Sequence, residues 1–298
     1  MTQAQPFPRS VLLAGATGTI GQAVAARLVA QGHSVTTPGR AVLADGEALA
    51  RVMAEARPEV VISCIASRSG APKDAQAVDY EANSRLLSAA QAAGARQFIL
   101  LSAICVQKPL LAFQRAKLAF EAELAASGIT YTIIRPTAFF KSLSGQVKRV
   151  KAGKPFVIFG DGNLTRCKPI SDDDLARFIV SAIDNPAMHG KILPIGGPGP
   201  AISLKEQGEI LFRAAGKPPK FKSVSPKIFT AAERILALGA PFSGWFAEKA
   251  EYARIARYYA TESMLVLDPA SGTYCADLTP EFGTETLEAH YRRLLEQG

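Results

Sequence analysis

Three glycines stand at every third position near the start of the chain, in Gly15-Ala16-Thr17-Gly18-Thr19-Ile20-Gly21. Glycine lets a backbone turn tightly and approach a ligand closely. A helix that begins at such a turn directs unpaired N–H groups outward, toward an anion. A glycine triplet alone is weak evidence, so its surroundings matter. Val11-Leu12-Leu13-Ala14 before it reads as a buried strand, and the Ala-rich stretch from Gln22 to Ala30 reads as a helix. Strand, glycine turn and helix in that order are the parts that hold a dinucleotide pyrophosphate. The residues expected to cradle it are Gly15, Thr17, Gly18, Thr19, Ile20 and Gly21.

The next strand, from His33 to Thr37, ends in Pro38-Gly39-Arg40. An acidic residue here would bond a ribose 2′-hydroxyl and repel a 2′-phosphate. The chain instead has Arg40, a planar and permanently charged fork suited to phosphate, which favours NADP over NAD. Ligands of open parallel sheets lie beyond the carboxyl ends of the strands. The run Glu59 to Ala66 is a clear strand, so Ala66, Ser67 and Arg68 border the expected cofactor. Ser102 and Pro136 close two later strands, Gln97 to Ala103 and Thr130 to Arg135, and Phe139-Phe140 follow. Ser102, Phe139 and Phe140 are therefore expected to face nicotinamide or substrate.

These groups need a scaffold. The 298 residues are 48% apolar and 20% charged, ordinary for one or two globular domains with a real core. Alternating strand and helix over residues 10 to 136 predicts an α/β protein with a doubly wound parallel sheet, the Rossmann fold. Residues 8–136 form the expected NADP-binding domain. Residues 137–298, where the alternation weakens, form a smaller, mainly substrate-binding region interleaved with it. Ala41 to Asp45 leaves room only for a stunted third strand, or marks a departure from the usual layout. Counted with that strand, Thr130 to Arg135 is the sixth. Ser171 or Asp172 caps a helix, and Ser203-Leu-Lys-Glu206 is a capping box opening another. From Ile228 to Tyr259 the chain reads as helical, with Ile228, Phe229, Ile235, Leu236, Leu238, Phe242, Trp245 and Phe246 as apolar positions. Core packing is the first expectation for them; Trp245 and Phe246 as the wall for a large flat ligand is the second.

Composition also excludes. No apolar run approaches the ~18–20 residues of a membrane span, and Met1 to Ser10 has no signal-peptide core, so a cytoplasmic location is expected. Cys64, Cys105, Cys167 and Cys275 form no C-x-x-C pair and the three histidines are scattered, which argues against a disulfide framework or a protein-bound metal. A net charge of +8 favours an anionic partner: a phosphorylated cofactor, a carboxylate substrate or an acidic membrane surface. Lys148, Arg149, Lys151 and Lys154 lack interleaved aromatics and read as a solvated helix face, not a nucleic-acid site.

The glycine turn, Ser102 and Phe113-Gln-Arg-Ala-Lys117 together resemble the short-chain dehydrogenase/reductase superfamily. The match is to its atypical, extended branch, with Asp161-Gly162 and Pro169-Ile-Ser-Asp-Asp-Asp-Leu175 at corresponding places. That superfamily usually carries Tyr-x-x-x-Lys, in which tyrosine protonates a carbonyl oxygen and lysine holds the nicotinamide ribose. Here the tyrosine position is Phe113, which has no proton to give. Lys117, four residues on and on the same helix face, is left for the ribose and is the catalytic candidate, as proton donor if its pKa is lowered.

Without that tyrosine, carbonyl reduction, alcohol oxidation and epimerisation are disfavoured. Reduction of a carbon–carbon double bond remains, and so does NADP binding without chemistry, as in the redox-sensing regulators of this branch. Phe113 to Glu121, Arg135 to Ser142, Glu262-Ser-Met-Leu-Val-Leu-Asp268 and Thr279 to Leu287 resemble the 8-vinyl reductases of chlorophyll synthesis. What this resemblance implies is NADPH-dependent conversion of the 8-vinyl group of a 3,8-divinyl chlorophyllide or protochlorophyllide to ethyl, with magnesium carried by the substrate. Peripheral contact with photosynthetic membranes stays an open alternative beside the cytoplasmic location. Phe113 joins Phe139, Phe140, Trp245 and Phe246 as an expected substrate neighbour.

Overall fold

The computed structural model describes residues 8–239 and 243–297; Met1 to Phe7 and the apolar position Phe242 lie outside them. Its centre is a sheet of six strands, all parallel. The first half runs β1 (Ser10–Ala14), α1 (Thr19–Ala30), β2 (Ser34–Thr36), α2 (Arg40–Ala44), α3 (Gly46–Ala56), β3 (Val60–Ser63), α4 (Asn83–Ala92), β4 (Gln97–Leu101), α5 (Ala112–Ala126) and β5 (Thr130–Pro136). The second half contributes β6 (Phe156–Phe159), α6 (Asp172–Ser181), β7 (Lys191–Ile195), α7 (Leu204–Ala214), β8 (Phe221–Val224), α8 (Lys227–Gly239), α9 (Gly244–Thr261) and α10 (Leu287–Gln297). Across the sheet the order is β2-β1-β3-β4-β5-β7.

Strand side chains alternate between faces, and so do the two cores. Val11 and Leu13 pack with Val24 and Leu28 of α1 and Leu175 and Ile179 of α6. Leu12 and Ala14 face the other way, onto Leu49 and Met53 of α3, Leu86 and Leu87 of α4, and Phe120 and Leu124 of α5. Both faces are covered by helices. This is why the strands read as continuous apolar runs and not as alternating ones.

No strand lies between β2 and β3. Ala41 to Ala44 fall in α2, and Asp45 ends it by capping α3, its carboxylate accepting from Glu47 N at 2.9 Å and Ala48 N at 3.1 Å. Leu43, Leu49 and Met53 form the buried stripe that holds both helices on the sheet. The third strand of the usual doubly wound order is therefore absent, and Thr130–Pro136 is the fifth strand, not the sixth.

From β5 the chain leaves the sheet, and β7 returns to pair with β5, Ile133 opposite Ile192. Outside it, β6 pairs with β8, and Phe156 packs with Leu211, Phe212 and Tyr291 in a third core. The Ser203 capping box is formed as a pair of bonds, Glu206 N to Ser203 Oγ at 3.2 Å and Ser203 N to Glu206 Oε2 at 2.6 Å. Expected core packing fails along α8. None of its residues is buried, and Ile228, Ile235 and Leu238 are exposed. It packs on α9, where Arg254 and Arg257 pair with Glu233, each at 3.0 Å. Among the described residues no helix is long and apolar enough to cross a membrane.

Candidate active site

Strand order reverses between β1 and β3, and the glycine turn lies at that switch point. Gly15 has φ +84°, and a Cβ there would stand 2.7 Å from the Cys64 carbonyl. A Cβ on Gly21 would stand 2.1 Å from the Gly15 carbonyl oxygen. Both positions are backbone against backbone, so neither tolerates a side chain without opening the turn. Gly18 caps α1 with no side-chain bond, and the first helical bond is Gln22 N to Gly18 O at 2.9 Å. The N–H groups of Thr19, Ile20 and Gly21 thus lie before the helical ladder begins. With no acid in that first turn, the helix N-terminus suits a pyrophosphate. Thr17 and Gly18 are exposed, whereas the Ile20 side chain is in the core and offers only its backbone. Lys141 adds a cation, its ammonium donating to Thr19 Oγ1. Sequence reading missed Lys141, because 122 residues separate it from its partner.

Arg40 is exposed at the start of α2, just beyond β2. Its guanidinium has no ion-pair partner among the described residues. Its charge is felt by Asp74. Burial pushes the Asp74 carboxyl up, but hydrogen bonds from Ser69 and the Arg68 backbone, helped by the charge of Arg40, hold it below the ordinary carboxylate range. Arg40 thus faces the loop after β3, where Ala66 and Arg68 are exposed and Ser67 half-buried.

Deeper in the crevice, Lys117 Nζ lies 2.9 Å from Asp79 Oδ1, and the two side chains are 10% and 0% exposed. Asp79 also accepts from Ser67 N at 3.3 Å, while its Oδ2 has no hydrogen-bond partner. It lies on a π-helical stretch, Ala75–Ala82, of the kind often found at functional sites. An orphaned carboxylate oxygen beside a lysine suits a ribose, whose hydroxyls can donate to one and accept from the other. Sequence reading missed Asp79 too; beside Glu81 in an Ala-rich helix it gives no signal of its own. Burial raises the neighbouring Cys64 thiol to about 12, although the Lys117 charge pulls the other way, so this thiol stays protonated.

Beyond the carboxyl ends of β4 and β5 lies an open cavity of about 470 Å³. Ala103, Ile104 and Cys105 line one side, Pro136 to Phe139 the floor, and Arg166, Cys167, Tyr259 and Glu262 the far wall. The lining is chiefly apolar, as for a hydrophobic ligand held by few polar groups.

A family model described as NAD(P)H-binding matches residues 15–186. The divinyl chlorophyllide a 8-vinyl-reductase of Oryza sativa subsp. indica is 46% identical, over 98% of this chain and 80% of that protein. The Zea mays protein of the same name is 45% identical, over 99% of this chain and 83% of its own. The chain belongs to this 8-vinyl-reductase family. Solved structures show the same fold at low identity. The NADPH-dependent quinone oxidoreductase QOR2 of Escherichia coli, complexed with NADPH, has a TM-score of 0.66 at 19% identity, covering 95% of this chain and 99% of that one. A nucleoside-diphosphate-sugar epimerase of Staphylococcus aureus has a TM-score of 0.67 at 18% identity, with the same coverage.

In this member of the reductase family the expected substrate neighbours separate. Phe139 and Pro136 line the cavity. Phe140 does not; it is 1% exposed, in the core with Phe156 and Tyr291. Phe113 packs beside Gly70, Leu111, Ile255 and Tyr258 and does not line the cavity. Trp245 and Phe246 are exposed and stack edge-to-face at 5.0 Å, at the wrong end of α9 for the cavity wall. Tyr259, which does line it, is about 21 Å further along the helix. Ser102 is buried, with its hydroxyl donating to Glu121, and Arg135 Nε joins the same carboxylate at 3.1 Å. Lys117 likewise does not line the cavity.

Proposed function

We infer that this chain reduces the 8-vinyl group of a divinyl chlorophyllide to ethyl, with NADPH as reductant. The observation that carries this reading is similarity to 8-vinyl reductases along nearly the whole chain, at 45–46% identity. The site supports it. Phe113 withholds the hydroxyl that carbonyl chemistry needs, and the apolar cavity suits a flat hydrophobic pigment. Magnesium belongs to the pigment.

NADPH, when bound, supplies the hydride. The chain's own part is to hold, orient and exclude water. Gly15, Gly18 and Gly21, with Thr17, Thr19 and the N–H of Ile20, hold the pyrophosphate, and Lys141 neutralises it. Arg40 meets the 2′-phosphate, and Ala66 to Arg68 border the cofactor. Lys117 and Asp79 share the ribose, with Ser102 holding Glu121 behind them. Pro136 and Phe139 set the floor on which the reacting carbons lie. Residues 8–136 in this reading are the NADP-binding domain, and residues 137–298 chiefly receive the substrate. Placing the vinyl group against the nicotinamide in a dry cavity is most of the catalysis.

Purified protein mixed with NADPH and divinyl chlorophyllide should shift the pigment spectrum toward the monovinyl form. Tight NADPH binding without that shift would favour a redox-sensing regulator instead.

A further inference from the structure

Vinyl reduction needs a proton as well as a hydride, and Phe113 cannot give one. We propose that Tyr259 delivers it: the phenol that the superfamily carries on α5 is supplied here from α9. This assignment rests on the function proposed above.

Two lines of geometry lead to Tyr259. A Cβ built on Gly70 would touch both Phe113 Cδ1, at 3.2 Å, and Ile255 Cδ1, at 3.1 Å, so the Phe113 ring and α9 meet over that loop. Ile255 and Tyr259 are four residues apart on α9 and share a face. The helix therefore runs from the place of the missing hydroxyl to the cavity wall. Its register is fixed by Tyr258, which is 3% exposed and whose hydroxyl donates to the Cys105 carbonyl at 2.9 Å. Tyr259 stands against Tyr258 with ring centroids 5.7 Å apart and lines the cavity with Ala103, Cys105 and Pro136.

Ser142 and Thr165 also line the cavity, as alcohols far weaker in acidity than a phenol, and most of the remaining polar groups are engaged. Glu262 accepts from Lys108 at 2.8 Å and from the Tyr274 hydroxyl at 2.9 Å. The Thr137 hydroxyl donates to the Lys168 carbonyl, and the Ser203 hydroxyl caps α7. Arg166 donates to the Ala201 carbonyl at 2.8 Å and pairs with Glu206 at 3.4 Å. Cys105 and Cys167 also line the cavity as thiols that burial keeps protonated, Cys167 up to about 12, and the Tyr259→Phe test below separates phenol from thiol. A phenol is protonated at neutral pH, so Tyr259 enters the reaction with its proton in place.

The step balances as an addition of H⁻ and H⁺ across one double bond. Hydride from NADPH forms a C–H bond at the terminal vinyl carbon as the π bond breaks. The electron pair left on the carbon next to the macrocycle, delocalised into the ring, takes the Tyr259 proton. The phenolate is then reprotonated from solvent, which reaches the ring because Tyr259 remains 48% exposed.

The test is Tyr259→Phe in the full chain. Turnover should fall about 100-fold or more, the usual range for losing a positioned acid. The dissociation constant for divinyl chlorophyllide, read by pigment fluorescence without NADPH, should stay within twofold of wild type. In the wild type, the same pigment should protect Tyr259 from nitration by tetranitromethane, read by mass spectrometry. Turnover within threefold of wild type, weakened pigment binding that accounts for the whole loss, or absence of protection would each overturn the assignment. A wild-type chain that binds NADPH but leaves the vinyl group intact would overturn the proposed function, and the assignment with it.

Discussion

Lys117 and Asp79 form a buried ion pair, Nζ to Oδ1 at 2.9 Å, on two elements 38 residues apart in sequence. A lysine held this way keeps one orientation, toward the crevice where β1 and β3 diverge. The cost of burying both charges is offset only while both are present.

Asp79→Ala should therefore destabilise the protein by about 3–5 kcal/mol, the range for stranding one charge of a buried pair. The apolar double substitution Asp79→Leu with Lys117→Met should recover much of that loss. Denaturant melts of the three variants check this. A single variant as stable as wild type would show that the pair carries no buried charge.

Arg40→Ala should weaken NADPH binding roughly 10- to 100-fold, from one lost charge-assisted contact. NADH affinity should be unchanged, because NADH has no 2′-phosphate. Fluorescence titration with both cofactors separates the two effects. Equal losses for both would remove Arg40 from the phosphate site.

Phe113→Tyr should not raise vinyl reduction. The ring packs among Gly70, Leu111, Ile255 and Tyr258 and does not itself line the cavity, so a restored hydroxyl is not offered to the pigment. Steady-state turnover on divinyl chlorophyllide decides it, and a large gain would contradict this placement.

Gly21→Ala should abolish tight NADPH binding and lower the melting temperature. Its methyl group would meet the Gly15 carbonyl oxygen at 2.1 Å, and only separation of α1 from the turn relieves that. Cofactor titration with a thermal melt suffices. Wild-type affinity would show that the turn can open freely.

Stability should decline in mild acid. His33 is buried, its Nδ1 accepts from Arg9 N at 3.1 Å, and burial chiefly lowers its pKa from 6.5. Burial lowers His290 in the same direction. The unfolded chain takes up these protons near pH 6.5, before the folded one does. Stability is thus complete above that pH and is lost as pH falls through the folded values. Melts between pH 8 and pH 5 should show the decline, and His33→Gln should flatten it.

Much was legible in the residues themselves. Period, turn chemistry and caps are local, so Val11 to Gly21, the Asp172 helix behind Ser171 and the Ser203 capping box could be read without tertiary information. Apolar runs marked the central strands, Val11 to Ala14, Glu59 to Ala66 and Gln97 to Ala103. Similarity along the chain carried the family. Arg40 and Phe113 stood out because each departs from what its position usually holds.

Other features needed the folded chain. Whether Ala41 to Asp45 made a strand depended on Leu43, Leu49 and Met53 finding the sheet face, a contact between elements. The apolar stripe of α8 reads as core by periodicity, yet α8 packs only part of it on α9 and leaves Ile228, Ile235 and Leu238 exposed. Asp79 and Lys141 gain meaning only from Lys117 and Thr19, 38 and 122 residues away. The same applies to Tyr259 against Trp245. Both are aromatic residues of one helix, and only the packing of α9 over Phe113 decides which ring meets the cavity. Spacing within an element is encoded locally, whereas proximity between elements is a property of the packed whole.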